Sequence, residues 1–222
     1  MKKIGIILAG CGNRDGAEIR EAVFTLLALD KLGEKLGAET IIMAPNLNQH
    51  HVVSHLTGKD LPETRNILEE SARIARGKIQ DITQVRPETL DGLILPGGYG
   101  VAKNLCSFAF DGSKASVLPA IKSMITKIHE QKKPIGAICI APAIMALLFG
   151  HEHVQITLGA DKETAQEIEK TGARHVVCAV DQICVDQALK IVTTPAYMYS
   201  EAKLHEMYLG IEKCVAQVLA WA

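Results

Sequence analysis

The sequence has little net charge, few aromatic residues and no segment suited to crossing a membrane. Its 24 Lys and Arg residues nearly balance 25 Asp and Glu residues, and the formal net charge is −1. Such a chain generates no strong field to attract nucleic acid or an anionic bilayer. Residues 134–150 are free of charged side chains, but a membrane span needs about 20 apolar residues, and Pro134, Gly136 and Pro142 interrupt this segment. We therefore predict no nucleic-acid partner and no membrane partner.

The sequence also has no paired-cysteine motif, although it contains six cysteines. A chain of 222 residues is long enough to fold around a core without disulfide bonds, and unpaired thiols are typical of a reducing compartment. The apolar run at residues 4–9 is too short for the h-region of a signal peptide, and no clear cleavage site follows it. These features lead us to expect reduced thiols and a cytoplasmic location.

No repeat, low-complexity segment or flexible linker divides the chain, so we predict a single domain over residues 1–222. Apolar runs alternate with segments of helical periodicity, which is typical of an α/β fold with a mostly parallel sheet covered on both faces. The predicted strands are 4–8, 40–43, 91–95, 134–138, 154–158, 176–179 and 191–194. The predicted helices are 19–32 (ending at Gly33), 64–75, 117–131, 142–149, 163–170 and 201–220.

Three loops of this fold are predicted to meet at the carboxyl edge of the sheet, where ligands bind in open α/β folds. They are residues 10–18 after the first strand, residues 96–104 after the strand 91–95, and the turn around Cys139. A functional site is therefore expected where these loops converge.

Cys139 follows a buried strand directly and precedes a helix with Pro142 in its first turn. The partial positive charge at a helix N-terminus favours the thiolate, which is the nucleophilic form of cysteine. The N–H of Ile140 and an N–H of the Gly97-Gly98 loop are predicted to form an oxyanion hole beside it. In the alternative, Cys139 is a small buried apolar residue, which is a common role of cysteine.

Glu18 opens the first predicted helix, close to the loop that is expected to face Cys139. In one interpretation its carboxyl group moves protons for the cysteine. In the other it stabilises the first turn of its own helix, where a negative charge complements the helix dipole. Lys103 and Asn104 are candidates for binding a substrate carbonyl or carboxylate, and a solvated loop or a dimer contact is the alternative.

Other reactive side chains lack the spacing that a metal or cofactor site requires. The run 151–153 (His-Glu-His) is not an HExxH motif, and the histidines within 50–55 have no accompanying ligand set. Gly10-Cys11-Gly12 does not complete a GxGxxG pattern, because Asp15 occupies the last position. We therefore predict no metal and no cofactor. Cys11 is expected to be a packed loop thiol, with a redox role as the alternative.

Three motifs together resemble the ThiJ/PfpI branch of the class I glutamine-amidotransferase-like superfamily. They are Asp15-Gly16-Ala17-Glu18, Leu95-Pro96-Gly97-Gly98 and Ala137-Ile138-Cys139-Ile140-Ala141-Pro142. Segments 7–12, 55–58, 63–66, 97–105 and 191–198 are more narrowly similar to the ElbB-type glyoxalases. The resemblance implies a flavodoxin-like three-layer sandwich, a homodimer, Cys139 as nucleophile and Glu18 as its carboxyl partner.

The resemblance also implies a function, a cofactor-free glyoxalase that converts glyoxal or methylglyoxal to a hydroxy acid through a Cys139 hemithioacetal. Apparent deglycation of proteins would follow from removal of the free aldehyde. An amidotransferase-like hydrolase is a rival hypothesis, although Ile140 stands where many superfamily members have histidine and Ala141 replaces the glycine of amidotransferases. A further hypothesis is a redox-sensing or partner-binding dimer in which Cys139 is oxidised reversibly.

Overall fold

The computed structural model describes all 222 residues and contains eleven β-strands and seven α-helices. The strands are β1 (Lys2–Ile7), β2 (Ala38–Ala44), β3 (Val52–Val53), β4 (Asp60–Leu61), β5 (Gln80–Asp81), β6 (Gly92–Leu95), β7 (Ile135–Ile138), β8 (Gln155–Ile156), β9 (Arg174–His175), β10 (Cys184–Asp186) and β11 (Ile191–Thr194). The helices are α1 (Ile19–Leu36), α2 (Ile67–Ala75), α3 (Phe108–Asp111), α4 (Pro119–Glu130), α5 (Pro142–Phe149), α6 (Lys162–Glu169) and α7 (Leu204–Trp221).

Seven strands form one central sheet in the order β10-β11-β7-β6-β1-β2-β5. Every neighbouring pair is parallel except β10 with β11, which is antiparallel. Two further sheets contain only two strands each, β3 with β4 and β8 with β9. The predicted α/β fold with a mostly parallel central sheet is thus confirmed.

The apolar residues of the central strands point alternately to the two faces of the sheet, as the twofold period of a strand requires. In β1, Ile4 and Ile6 belong to the core that packs beneath α1 and α7, whereas Ile7 belongs to the core beneath α4 and α5. In β6, Ile94 faces the first of these cores, and Leu93 faces the second. Helices therefore cover both faces and form the outer layers of the sandwich.

Some predicted element bounds differ from those in the structure. Helix α1 continues past Gly33 and ends at Gly37, whose left-handed φ of 67° closes the helix. Residues 176–179 are not a strand, because only the N–H of Val176 bonds to β8 before the chain turns away into solvent. The antiparallel edge strand β10 escaped prediction because three residues are too few to show a period.

Strand β1 lies inside the sheet, between β2 and the central strand β6. The chain that leaves β1 enters α1 on one face, whereas the chain that leaves β6 leads to α4 on the other face. Connections that depart to opposite faces leave a crevice at the carboxyl edge between the two strands, where ligands bind in such folds. None of the helices combines the length and the apolar character that crossing a bilayer requires.

Candidate active site

Cys139 sits at the carboxyl end of β7, on a sharp turn into α5. Its φ of 61° lies in the left-handed region, which costs a non-glycine residue roughly 1–3 kcal/mol. The turn is held by the N–H of Cys139, which donates to the carbonyl oxygen of Thr194 at 2.9 Å. The residue is only 7% exposed. This strained and buried position is typical of a nucleophile presented at a strand-to-helix turn.

Two backbone N–H groups lie close enough to the sulfur of Cys139 to lower its pKa, and they belong to Gly98 and Ile140. The structure therefore brings the predicted oxyanion residues together around the cysteine. Gly97 allows this close approach, because a Cβ atom there would lie 2.4 Å from the Cβ of Cys139. Gly98 has a φ of 102°, which few other residues adopt, and this conformation turns its N–H towards the sulfur.

The carboxyl group in contact with Cys139 is that of Glu21, which the sequence did not single out. Its side chain is fully buried. Oε2 accepts the N–H of Gly97 at 3.0 Å and Oε1 accepts the N–H of Tyr197 at 3.1 Å. The carboxyl also lies close enough to the thiol of Cys139 for each group to shift the pKa of the other. Ala196, with a φ of 43°, turns the N–H of Tyr197 towards the carboxyl. A group held from three directions is positioned for chemistry at the sulfur.

A sequence signal for Glu21 does exist. Glu21, Thr25 and Ala28 recur at helical spacing and all three are fully buried. A carboxyl on the buried stripe of a helix is rare unless it has partners. The position of Glu21 on that stripe therefore indicates a carboxyl group with specific buried contacts. The signal was missed because the stripe begins one turn after Glu18 and the inward face of α1 is fixed only by packing.

Glu18 is the N-cap residue of α1. Its Oε2 accepts the N–H of Glu21 at 2.7 Å, and its own N–H donates to the carbonyl of Gly97 at 2.9 Å. The structure therefore shows the capping interaction that was the alternative for this residue. The half-buried carboxyl of Glu18 also lines the cleft in front of Cys139. Burial raises its pKa, and the N–H of Glu21 opposes that effect.

Cys139 and Glu21 are neighbouring buried acids, and both resist ionisation. Burial and then the charge of Glu18 raise the pKa of Glu21 from 4.5 to about 8. Burial and then the charge of Glu21 raise the pKa of Cys139 well above its ordinary value, although the N–H groups of Gly98 and Ile140 lower it. The expected thiolate is therefore not favoured by the helix end alone, because desolvation outweighs it. A thiolate forms here only if Glu21 holds the proton.

The cleft in front of Cys139 has a volume of about 950 Å³. Its floor contains Cys139 and Ile140, and no histidine is among its lining residues. The opposite wall, built from α6 and the residue before it, carries the carboxyl groups of Asp161, Glu163 and Glu167. A cysteine–histidine pair is therefore absent from this site, and Glu21 is the acid or base available to the sulfur.

Lys103 and Asn104 do not line this cleft. The side-chain amide of Asn104 donates to the carbonyls of Ala9 and Asp15, and its oxygen accepts the N–H of His50 at 2.9 Å. The ammonium group of Lys103 contacts the carbonyl of Arg14 at 3.0 Å and a ring nitrogen of His51 at 2.9 Å. Both residues therefore tie loops together, and the geometry gives no support to their predicted role in substrate binding.

The remaining candidates lie in separate surroundings. Burial raises the pKa of the half-exposed thiol Cys11, and the nearby charge of Glu70 adds to this. Glu152 lies 3.3 Å from His129 and 3.8 Å from His151, whereas His153 contacts the carbonyl of Gly172. The structure contains no group of three or more His, Cys, Asp or Glu side chains placed to hold a metal ion.

Comparison with known proteins identifies relatives along almost the whole chain. No protein-family model matches it. The rat mitochondrial ES1 protein homolog is 41% identical over 227 aligned positions, covering 98% of this chain and 83% of the relative. A human mitochondrial protein, glutamine amidotransferase-like class 1 domain-containing protein 3, is also 41% identical, and the alignment covers 98% of this chain and 82% of the relative. The chain belongs to the ES1 family of glutamine amidotransferase-like proteins.

Solved structures agree with membership of the ES1 family. The crystal structure of an isoprenoid biosynthesis protein with an amidotransferase-like domain from Ehrlichia chaffeensis is 40% identical, covers 99% of this chain and 100% of its own, and superposes with a TM-score of 0.89. Toxoplasma gondii DJ-1 is 18% identical over both whole chains with a TM-score of 0.52, which shows a shared fold. The flavodoxin-like sandwich of the DJ-1/ThiJ/PfpI proteins is thereby confirmed.

The ES1 relatives also correct one expectation. The rat, human and zebrafish proteins are all named mitochondrial, and the zebrafish protein is 27% identical over 97% of this chain. The predicted cytoplasmic location is therefore wrong. It rested on reduced thiols and on the weak leader-like character of residues 4–9, and neither feature distinguishes one intracellular compartment from another.

Proposed function

We propose that the protein is a cofactor-free glyoxalase in which Cys139 and Glu21 carry the chemistry. The observation that carries the proposal is the buried cysteine–carboxyl pair beneath two N–H groups that converge on one point. This arrangement supplies a nucleophile, a proton carrier and a site for a negatively charged oxygen. The sequence similarity to ElbB-type glyoxalases supports the same activity.

The reaction begins when the sulfur of Cys139 bonds to an aldehyde carbon of glyoxal and the proton of the thiol passes to the ionised form of Glu21, which becomes more abundant as the pH approaches 8. The carbonyl oxygen becomes an alkoxide that the N–H groups of Gly98 and Ile140 stabilise. Protonation gives a hemithioacetal. Because both N–H groups lie near the sulfur, they would also lie near an oxygen on the carbon that bonds to it.

Having returned the thiol proton to the alkoxide, Glu21 removes the proton from the carbon attached to sulfur and delivers it to the neighbouring carbon, while the hydroxyl proton of the hemithioacetal passes to the oxygen of that neighbouring carbon. The first carbon is oxidised to a thioester and the second is reduced to an alcohol, so the electrons stay within the substrate. Water hydrolyses the thioester, which releases the hydroxy acid and regenerates the thiol. Glu18, at the wall of the cleft, raises the pKa of Glu21 through its charge and thereby keeps the proton available.

An amidotransferase-like hydrolase is the second candidate, and the names of the relatives favour it. The same N–H pair would stabilise the tetrahedral intermediate of amide hydrolysis. The cleft contains no histidine, so Glu21 would have to act as the base. These relatives support an amidotransferase-like protein more directly than they support a glyoxalase, which makes a direct comparison of the two activities necessary.

The test is to incubate the purified protein with glyoxal, methylglyoxal and glutamine in parallel, with Cys139→Ser as the control. We expect hydroxy acid, detected by NMR, from the two aldehydes and no ammonia from glutamine. Release of ammonia that depends on Cys139, without turnover of either aldehyde, would favour the hydrolase. If neither the aldehydes nor glutamine are turned over and dilute peroxide converts Cys139 to sulfinic acid, the result would favour redox sensing.

We also propose that the protein forms a homodimer through the outer face of α1. Ile19, Val23 and Leu27 recur every fourth residue on that face, and they are 45%, 45% and 48% exposed. A stripe of this kind on a surface helix is typical of an interface. Light scattering should give twice the chain mass for the wild type and the monomer mass for Val23→Lys.

A further inference from the structure

The cleft is much larger than the substrate proposed for it. Its volume of about 950 Å³ lies near the upper end of the range of roughly 300–1,000 Å³ that is typical of pockets for drug-sized ligands. Glyoxal is a two-carbon dialdehyde and leaves most of this space empty. A site shaped only for glyoxal would gain no binding energy from the remaining walls.

A second groove adjoins the cleft and shares Met198 and Ser200 with it. It has a volume of about 580 Å³, and most of its lining is apolar. The apolar lining residues are Ala179, Val180, Met198, Tyr199 and Ala202. The hydroxyl of Tyr199 donates to the carbonyl of Cys178 at 2.7 Å, so the hydroxyl is already bonded. The groove is therefore suited to an apolar group.

The turn 196–198 connects the groove to the catalytic pair, Cys139 and Glu21. Its first two residues position the N–H that holds Glu21, and Met198 lies at the boundary between the cleft and the groove. A methionine side chain is flexible and adapts to the shape of a ligand. On the opposite side of the cleft, α6 presents the carboxyl groups of Glu163 and Glu167. An apolar group attached to a reacting carbonyl that extends across Met198 enters the adjoining groove, in which Glu201 is the one charged lining residue.

We infer that the site accepts carbonyl compounds with an apolar tail, whose carbonyl end reacts at Cys139 and whose tail lies across Met198 in the groove 179–202. This inference rests on the proposed reaction at Cys139 for its substrate class. The binding of the tail does not depend on that reaction. It requires only that a reagent reach the sulfur while its apolar part occupies the groove.

The experiment uses N-alkylmaleimides from methyl to hexyl, because addition of a thiol to a maleimide needs no proton transfer between substrate carbons. The rate of labelling at Cys139 is measured by peptide mass spectrometry at one pH and is divided by the rate with glutathione. Each buried methylene should raise the ratio by up to about fourfold. We expect the hexyl reagent to exceed the methyl reagent by about tenfold or more, since the groove buries the chain only in part.

Two substitutions at the exposed Ala179 test the location of the tail. Ala179→Trp fills the groove, and Ala179→Glu places a charge in it, so both should abolish the dependence of the rate on chain length. Ala220→Trp is the matched control, because Ala220 is an exposed residue in the last turn of α7. It should retain the wild-type dependence. Circular dichroism melts of all three variants establish that they are folded.

A rate that does not depend on chain length in the wild type would overturn the inference, as would a dependence that persists in both Ala179 variants. Turnover of methylglyoxal and of longer 2-oxoaldehydes, measured in parallel, separates this outcome from failure of the proposed function. If the maleimide rates depend on chain length but no aldehyde is turned over, the groove binds apolar tails and the glyoxalase proposal fails. If all aldehydes are turned over equally and the maleimide rates do not depend on chain length, the glyoxalase proposal stands and the groove does not bind apolar tails.

Discussion

Replacement of Glu21 by glutamine tests the central feature of the site, which is a carboxyl group that stays protonated near neutral pH. Glu21 is fully buried, and its pKa is raised to about 8 by burial and by the charge of Glu18. In the unfolded chain the same group titrates at its ordinary value of 4.5. Between these two values the unfolded state loses a proton that the folded state keeps.

The sign of the effect on stability follows from linkage. Where the unfolded state binds fewer protons than the folded state, the free energy of unfolding falls as the pH rises, by about 1.4 kcal/mol per pH unit. Glu21 therefore leaves the free energy of unfolding unchanged below pH 4.5 and lowers it by the full amount above pH 8. Over the whole interval the loss amounts to roughly 5 kcal/mol as an upper bound. Cys139 is protonated in both states across this interval, so it adds nothing.

In Glu21→Gln the amide does not ionise, and this slope disappears. One of its two polar atoms is an NH₂ group that cannot accept the N–H of Gly97 or Tyr197, which leaves a buried donor unpaired at a cost of about 1–3 kcal/mol. The wild type should therefore be the more stable protein at pH 5. The difference should shrink with rising pH and reverse its sign between about pH 5 and 7, where the loss of about 1.4 kcal/mol per pH unit equals the cost of the unpaired donor. Turnover of glyoxal should fall by about 10²-fold or more at every pH.

The assay is urea unfolding at intervals between pH 4.5 and 8 for the wild type and Glu21→Gln. Glu34→Gln is the matched control, since Glu34 lies on the exposed face of the same helix, and its slope should equal that of the wild type. A difference between wild type and Glu21→Gln that stays constant over this range would refute the reasoning, because it would show that Glu21 ionises in the folded protein as it does in the unfolded chain.

Three further predictions concern residues around this pair. Glu18→Gln should cost about 1 kcal/mol of stability, because the cap is weakened, and should lower the pH at which Glu21 ionises; urea unfolding across the same pH range measures both. Gly97→Ala should destabilise the protein by about 1–3 kcal/mol and reduce turnover, because the added Cβ lies 2.4 Å from that of Cys139; a normal melting temperature with full activity would contradict this. Asn104→Ala should cost about 2 kcal/mol, because it leaves polar groups of three residues without their partner, yet kcat should stay within a few-fold of the wild type.

The part of the site that the sequence could predict is the part encoded locally. A strand that leads directly through Cys139 into a helix with an early proline specifies a sharp turn, and the N–H of Ile140 follows from it. Paired glycines after a neighbouring strand specify close backbone approach. Each inference uses only a few adjacent residues, and the structure brings Cys139, Gly98 and Ile140 together as those residues imply.

The carboxyl partner could not be predicted in this way. Glu18 and Glu21 lie one helical turn apart, and which of them meets the sulfur depends on how α1 rotates against the sheet. That rotation is set by packing of Ala22 and Leu29 against strands far away in sequence. The contacts of Lys103 and Asn104 could not be foreseen for a similar reason, because their partners lie in loops distant along the chain. That residues 1–222 form one domain stays a prediction.

The site is assembled from segments that leave the ribosome at very different times. Helix α1, which carries Glu21, is synthesised early. The turn with Cys139 follows after more than half of the chain, and the N–H of Tyr197 that holds Glu21 comes near the end. Because Cys139 is itself anchored by the carbonyl of Thr194, a nascent chain that stops before β11 contains the cysteine but cannot hold it in its turn. The buried pair of Cys139 and Glu21 therefore assembles only when β11, the last strand of the sheet, is added. Incomplete products of translation carry an ordinary thiol.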